Sequence, residues 1–136
     1  ISSIFGMVGI PTQSAYNSAK FAVRGFTESL QAEYRGTSLS VTCVHPGGIA
    51  TNIALRARTD GEAQGATAEE RDQSFKQIAK TSPEKAARVI MRGTLAQRRR
   101  VFIGWDAWFL HTVTKFMPTS YHRIISWIGP KNDDVG

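Results

Sequence analysis

Apolar residues recur at helical spacing from Ser14 to about Arg35, at Ala15, Ala19, Ala22, Val23, Phe26 and Leu30. This period predicts an amphipathic helix with one face on a core. Gly36 follows, the residue that most readily takes the left-handed turn closing a helix. The pattern then changes to Leu39-Ser40-Val41-Thr42-Cys43-Val44, rich in β-branched residues, and breaks at Pro46-Gly47. That predicts a strand entering a loop. Residues 55 to 67 are poor in large apolar groups and carry Gly61 and Gly65, so a mobile excursion is expected there. A helix is expected over Ala68 to Lys80. Ser82-Pro83 then supplies an N-cap and a proline at the first helical position, opening a helix through about Gln97. Val101-Phe102-Ile103 reads as a short strand closed by Gly104. Strands alternating with helices imply an α/β fold with parallel strands.

Beyond Gly104 the pattern is helical again. Trp105, Trp108, Phe109, Thr112 and Phe116 form one apolar stripe; Tyr121, Ile124, Ile125 and Ile128 form a second, and Pro118 divides them. The leading expectation is that both stripes pack on the core. The alternatives are a cover over an apolar substrate pocket, or peripheral membrane contact beside Arg98-Arg99-Arg100 and Lys115. No apolar run approaches the roughly 18 residues of a membrane span.

Composition narrows this picture. At 136 residues and 41% hydrophobic content, the chain supports one core and no second domain. Much of the net charge of +6 sits in Arg98-Arg99-Arg100, at the end of a predicted helix, where cations oppose the negative end of the dipole. No ladder of basic and aromatic residues accompanies it, so nucleic acid is not an expected partner. Cys43 is the single cysteine, which excludes an internal disulfide and suits a reducing compartment such as the cytoplasm. Its strand context makes it a buried residue. His45, His111 and His122 are too dispersed for a metal site, and no metal is expected. His45 is expected to pack at a strand end, and Asn17 and Ser18 to lie on the helix surface or behind the site. The chain begins at Ile1, Ile1-Ser2-Ser3 reads as the end of a strand, and no leader pattern precedes it, so a longer parent protein is expected.

The candidate chemistry lies in three short stretches. Tyr16 and Lys20 are four apart, which places their Cβ atoms about 5–6 Å apart on one helix face. At an effective dielectric near 20, an ammonium about 5 Å from a phenol favours the phenolate by roughly 3 kcal/mol. A Ser3 hydroxyl could share the reacting oxygen. Gly47 and Gly48 let a backbone approach a flat ring closely. Taken alone, the pair also reads as an ordinary surface contact and Ser3 as a turn residue.

In this order and spacing, Ser3, Tyr16-Asn17-Ser18-Ala19-Lys20 and Pro46-Gly47-Gly48-Ile49-Ala50-Thr51 resemble the second half of a short-chain dehydrogenase/reductase, over residues 1 to about 104. The resemblance implies the C-terminal half of a doubly wound parallel-sheet (Rossmann-type) α/β domain, with residues 105–136 as an additional amphipathic helical tail. It implies an NAD(P)-dependent oxidoreductase interconverting an alcohol and a carbonyl. Tyr16 would be the general acid/base. Lys20 would lower its pKa and hold the nicotinamide ribose. Ser3, thirteen residues before the tyrosine, would bind the reacting oxygen. Pro46, Gly47, Gly48, Ile49 and Thr51 would join Tyr16 and Lys20 in holding the cofactor. The family's Gly-rich phosphate loop, its ribose-reading residue and a catalytic Asn would all precede Ile1, so NAD and NADP are not separated. The loop Ile4 to Pro11 and the segment 55 to 80 suggest a mainly apolar pocket for a small-molecule substrate. Relatives commonly form homo-oligomers through the helix at 14–35, with Phe26 and Tyr34 as the implied outer face. Two competing readings are a non-catalytic relative that binds a partner through the tail, and a sugar-nucleotide epimerase or dehydratase using the same Tyr and Lys. The Pro-Gly-Gly loop ending in Thr51 fits the latter less well.

Overall fold

A computed structural model describes residues 1–11, 13–51 and 79–128. A 3-10 turn at Ile4–Gly6 is followed by α1 (Ser14–Glu33), β1 (Cys43–Pro46), α2 (Pro83–Leu95), β2 (Arg100–Ile103), α3 (Trp105–Phe116) and α4 (Tyr121–Ile128). β1 and β2 pair in parallel, from Cys43 opposite Arg100 to Pro46 opposite Ile103. Parallel neighbours need a long crossover, and α2 lies within it. Ser82 caps α2 as expected: its Oγ accepts from the Lys85 N–H at 3.3 Å, with Pro83 in the first turn.

The core lies where α2 meets the strands, around Val44, Ala86, Val101 and Ile103, with Ile49, Val89 and Ile90 at its margin. Burying each of the large aliphatic side chains contributes on the order of 1.5–3 kcal/mol. Gly93 lets the helix sit directly on β2, since a Cβ there would overlap the Val101 side chain. On α1, Glu28 is shared between Arg24, at 2.9 Å, and Arg100 of β2. Partial burial pushes the Glu28 carboxyl upward, but the two guanidiniums outweigh it and hold the group below its ordinary value.

Several sequence boundaries shift. α1 stops at Glu33 rather than near Arg35, with Gly36 at φ 83° just beyond, as the terminator role requires. The strand expected over 39–44 forms instead over Cys43–Pro46, because β2 begins only at Arg100. Upstream, the Gln31 amide donates to both Val41 O, at 3.0 Å, and Arg99 O, at 2.7 Å, the latter also accepting from Cys43 N at 3.0 Å, so a side chain bridges the two segments where the ladder begins. Ile1–Ser3 is not a paired strand; a hydrogen bond from Ser2 N to Val44 O, at 2.8 Å, holds it beside β1. The excursion at 55–67 and most of the helix expected over Ala68 to Lys80 lie outside the described residues; Ala79 and Lys80 are not helical.

The tail forms two helices, α3 and α4, with Pro118 between them, but the first apolar stripe does not pack inward. Trp105, Trp108 and Phe116 are 70%, 64% and 74% exposed. α3 docks by its other side. Ala107 is fully buried, Asp106 reaches the β1 loop, and the His111 ring stacks on Phe102 at 4.4 Å. Those anchors fix the helix rotation against its hydrophobic pattern. No helix among the described residues is long and apolar enough to cross a membrane.

Candidate active site

β1 ends at Pro46, and the chain crosses the strand end as Gly47-Gly48-Ile49. This stretch is pinned by main-chain bonds. Gly47 N donates to Ile103 O at 2.8 Å, Thr81 N to Gly48 O at 3.3 Å, and Ala50 N to Thr81 O at 2.9 Å. A side chain adds another hold, the Gly48 N–H donating to Asp106 Oδ2 at 2.9 Å.

Beside this loop, Ser3 caps the 3-10 turn. Its Oγ accepts from Phe5 N at 3.2 Å, so a lone pair is engaged and the hydroxyl proton is left to donate elsewhere. Ser2 does different work: its Oγ donates to Lys20 O at 2.8 Å, tying the turn to α1. A Cβ on Gly6 would overlap that Ser2 Oγ, so the turn and helix are in direct contact.

Behind Ser3 stands His45, fully buried on β1. Burial holds its imidazole below the ordinary value, against the opposing pull of the Ser3 carbonyl. A carbonyl only accepts, so Nδ1 carries the proton and donates to Ser3 O at 3.0 Å, while Nε2 is a buried, unpartnered lone pair. The ring stacks on Phe102 at 5.5 Å, and Phe102 in turn on His111. His45 is therefore the strand-end packing residue its position predicts.

From α1, the Tyr16 ring meets Phe5 edge to face at 6.1 Å and remains partly exposed. Lys20 Nζ lies 5.4 Å from the Tyr16 ring centroid and 3.5 Å from Ile1 O. All eight residues singled out from the sequence, Ser3, Tyr16, Lys20, Pro46, Gly47, Gly48, Ile49 and Thr51, line one cavity of about 390 Å³, with Ile1, Ile4 and Phe5 among its apolar walls. That size suits a small-molecule site. It opens at the carboxyl end of a parallel strand, where open α/β sheets bind their ligands. A larger cavity of about 640 Å³ contains none of the eight; of its cations, Arg24 and Arg100 are engaged by Glu28, and Lys115 lies over the Phe116 ring.

The sequence did not reveal every part of this arrangement. Of the two places expected for Asn17, the helix surface is ruled out: it is buried, its Nδ2 donating to Val8 O at 3.0 Å. Tyr121 of α4 accepts from Gly9 N at 3.3 Å, tethering the same loop from the tail. The expected apolar stripe gave no signal for Asn17: Ala15, Ala19, Ala22 and Phe26 of that stripe are exposed, and α1 turns inward the face that carries Asn17, Lys20, Arg24, Glu28 and Gln31. Asp106 and Tyr121 act across 58 and 112 positions, with no local signal. Among the described residues, no group of three or more His, Cys, Asp or Glu is placed to hold a metal ion.

Known proteins match this chain on both sequence and fold. The family profile described as short chain dehydrogenase matches residues 1–62. SadH of Mycobacterium tuberculosis, named as an oxidoreductase, is 45% identical over 129 residues, covering 93% of this chain and 46% of its own length. The chain belongs to the short-chain dehydrogenase/reductase family. Dehydrogenase/reductase SDR family member 7B of Xenopus tropicalis is 35% identical over 108 residues, covering 76% of this chain and 32% of its own. The chain thus spans less than half the length of these relatives. A solved short-chain dehydrogenase from Streptomyces avermitilis superposes with a TM-score of 0.63 at 24% identity, covering 98% of this chain and 50% of that one. A short chain dehydrogenase/reductase from Burkholderia phymatum, in complex with NAD, gives 0.63 at 20% identity, covering 99% and 50%. These solved short-chain dehydrogenases/reductases share the α/β, parallel-sheet fold of this chain.

Proposed function

We propose that the complete protein is an NAD(P)-dependent oxidoreductase that interconverts an alcohol and a carbonyl on a small-molecule substrate that is mainly apolar. The observation that carries this reading is the convergence of Ser3, Tyr16, Lys20 and the loop from Pro46 to Thr51 on one cavity. A bound nicotinamide dinucleotide, NAD or NADP, supplies or accepts a hydride there. The loop offers it a main-chain wall already fixed by Ile103, Thr81 and Asp106, so little ordering remains to be done on binding. The NAD complex of the Burkholderia relative supports this class of cofactor.

In this reading the Tyr16 phenol gives a proton to the carbonyl oxygen in reduction and takes it back in oxidation. Positioned proton transfer of this kind contributes about 10²–10⁴-fold. Ser3 donates its free hydroxyl proton to the same oxygen and holds it in place for transfer. The Lys20 ammonium, 5.4 Å from the Tyr16 ring centroid, would stabilise the phenolate left behind and would hold the cofactor ribose. Apolar walls at Ile4 and Phe5 exclude water from the reacting atoms.

The test is direct. The complete protein is titrated with NADH and NADPH by fluorescence, then assayed with a panel of apolar ketones and secondary alcohols by nicotinamide absorbance. Saturable binding of one dinucleotide, with turnover of a panel member, is expected. Binding of neither would contradict the reading.

A further inference from the structure

We propose that Asp106 is a positioning residue for the cofactor loop, acting through Gly48 and thereby setting the affinity of the site for a nicotinamide dinucleotide. The inference rests on the cofactor reading above and adds a residue outside all of its motifs. Asp106 stands in the first turn of the tail helix α3, yet its Oδ2 accepts the Gly48 N–H at 2.9 Å across 58 positions.

Two glycines from separate segments make room for this one carboxylate. A Cβ at Gly47 would overlap both Asp106 oxygens, and a Cβ at Gly104 would overlap Oδ1. Gly104 also sits at φ 93°, a conformation that L side chains rarely adopt. The sequence suggested that Gly47 is small so that a ring can approach. The geometry adds a second reason: the space its side chain would fill is occupied by Asp106.

The physical consequence concerns one peptide. Gly47 N and Gly48 O are held by main-chain partners, whereas Gly48 N–H is held by a charged side chain. Bonds to an ionised acceptor are roughly twice as strong as neutral ones. Glycine offers no steric restraint of its own, so removing the carboxylate frees the Gly47–Gly48 peptide to rotate. A loop that must be ordered on binding yields a weaker complex. The alternative is that Asp106 serves only the N-terminus of α3, where a carboxylate opposes the helix dipole.

The experiment compares wild type, Asp106→Ala and Asp106→Asn in the complete protein. Amide hydrogen exchange at Gly48 is measured by NMR without cofactor, alongside Kd for NADH and NADPH, kcat at saturating cofactor, and Tm. Asp106→Ala is expected to speed Gly48 exchange and raise Kd, each by about tenfold, the scale of one charge-assisted hydrogen bond. kcat at saturating cofactor should stay within about threefold. Asp106→Asn, which keeps an oxygen acceptor, should recover part of both losses. A lower Tm with Gly48 exchange and Kd unchanged would reduce Asp106 to a helix-end residue and overturn the proposal. Should the alanine variant not fold, Asp106→Asn carries the test: raised Kd and faster exchange support the proposal, and wild-type values contradict it. If wild type itself binds neither dinucleotide, the cofactor reading fails and this inference falls with it. If wild type binds and Asp106→Ala binds equally, only the inference fails.

Discussion

At the residue scale, short spacings were readable and long reaches were not. Tyr16 and Lys20 share a helix face by periodicity alone, and the cation does lie 5.4 Å from the ring centroid. Lys20→Ala is expected to weaken dinucleotide binding and turnover together, because the proposed function gives one ammonium two duties, toward the phenol and toward the ribose. Fluorescence titration and steady-state rates check this; if neither changes, Lys20 is a surface contact. Glu28 supports a pH prediction. Its folded carboxyl lies below its unfolded value of 4.5, so its stabilising contribution is present above that value and is lost as pH falls through the lowered one. Wild type should therefore melt above Glu28→Gln near pH 7, with the difference closing toward pH 3. A constant difference across that range would contradict the assignment. Asp106 could not be anticipated: a carboxylate in a first helical turn reads as a dipole partner, and nothing nearby points to Gly48.

At the element scale, helix caps were legible and helix orientation was not. Ser82-Pro83 and Gly36 marked their ends because capping chemistry is local. The stripe from Trp105 to Phe116 predicted the wrong buried face, since α3 is rotated by its contacts at Asp106, Ala107 and His111. Strand limits moved because β1 exists only where β2 supplies partners. Two tests belong here. Gly93→Ala adds helix propensity of up to about 1 kcal/mol. The new Cβ meets buried Val101, and overpacking costs about 1–3 kcal/mol, so Tm should fall. A raised Tm would show that α2 can lift from β2 freely. Removing residues 118–136 takes away the Tyr121 contact with Gly9, one of the tethers of the loop that follows Ser3. KM for a bulky apolar substrate should then rise more than cofactor Kd; Tyr121→Phe should reproduce a part, within about tenfold. Unchanged kinetics with lost sedimentation on anionic vesicles would move the tail's role to a membrane surface.

For the whole molecule, the proposed site is assembled from the loop at the carboxyl end of β1, the turn capped by Ser3 and the first turns of α1, and it opens where open α/β sheets bind their ligands. Phe26 on α1 is 67% exposed, and Tyr34, just past the end of the helix, is 40% exposed. Self-association of the complete protein through this face is expected, and a monomer at micromolar concentration in analytical ultracentrifugation would contradict it. The central claim is that Tyr16 moves the proton while the cofactor wall is built elsewhere. Tyr16→Phe in the complete protein tests it most directly, with turnover and dinucleotide Kd measured on one preparation. The account predicts a loss of turnover of about 10²-fold or more, with Kd within about twofold of wild type. Turnover at the wild-type rate would contradict it.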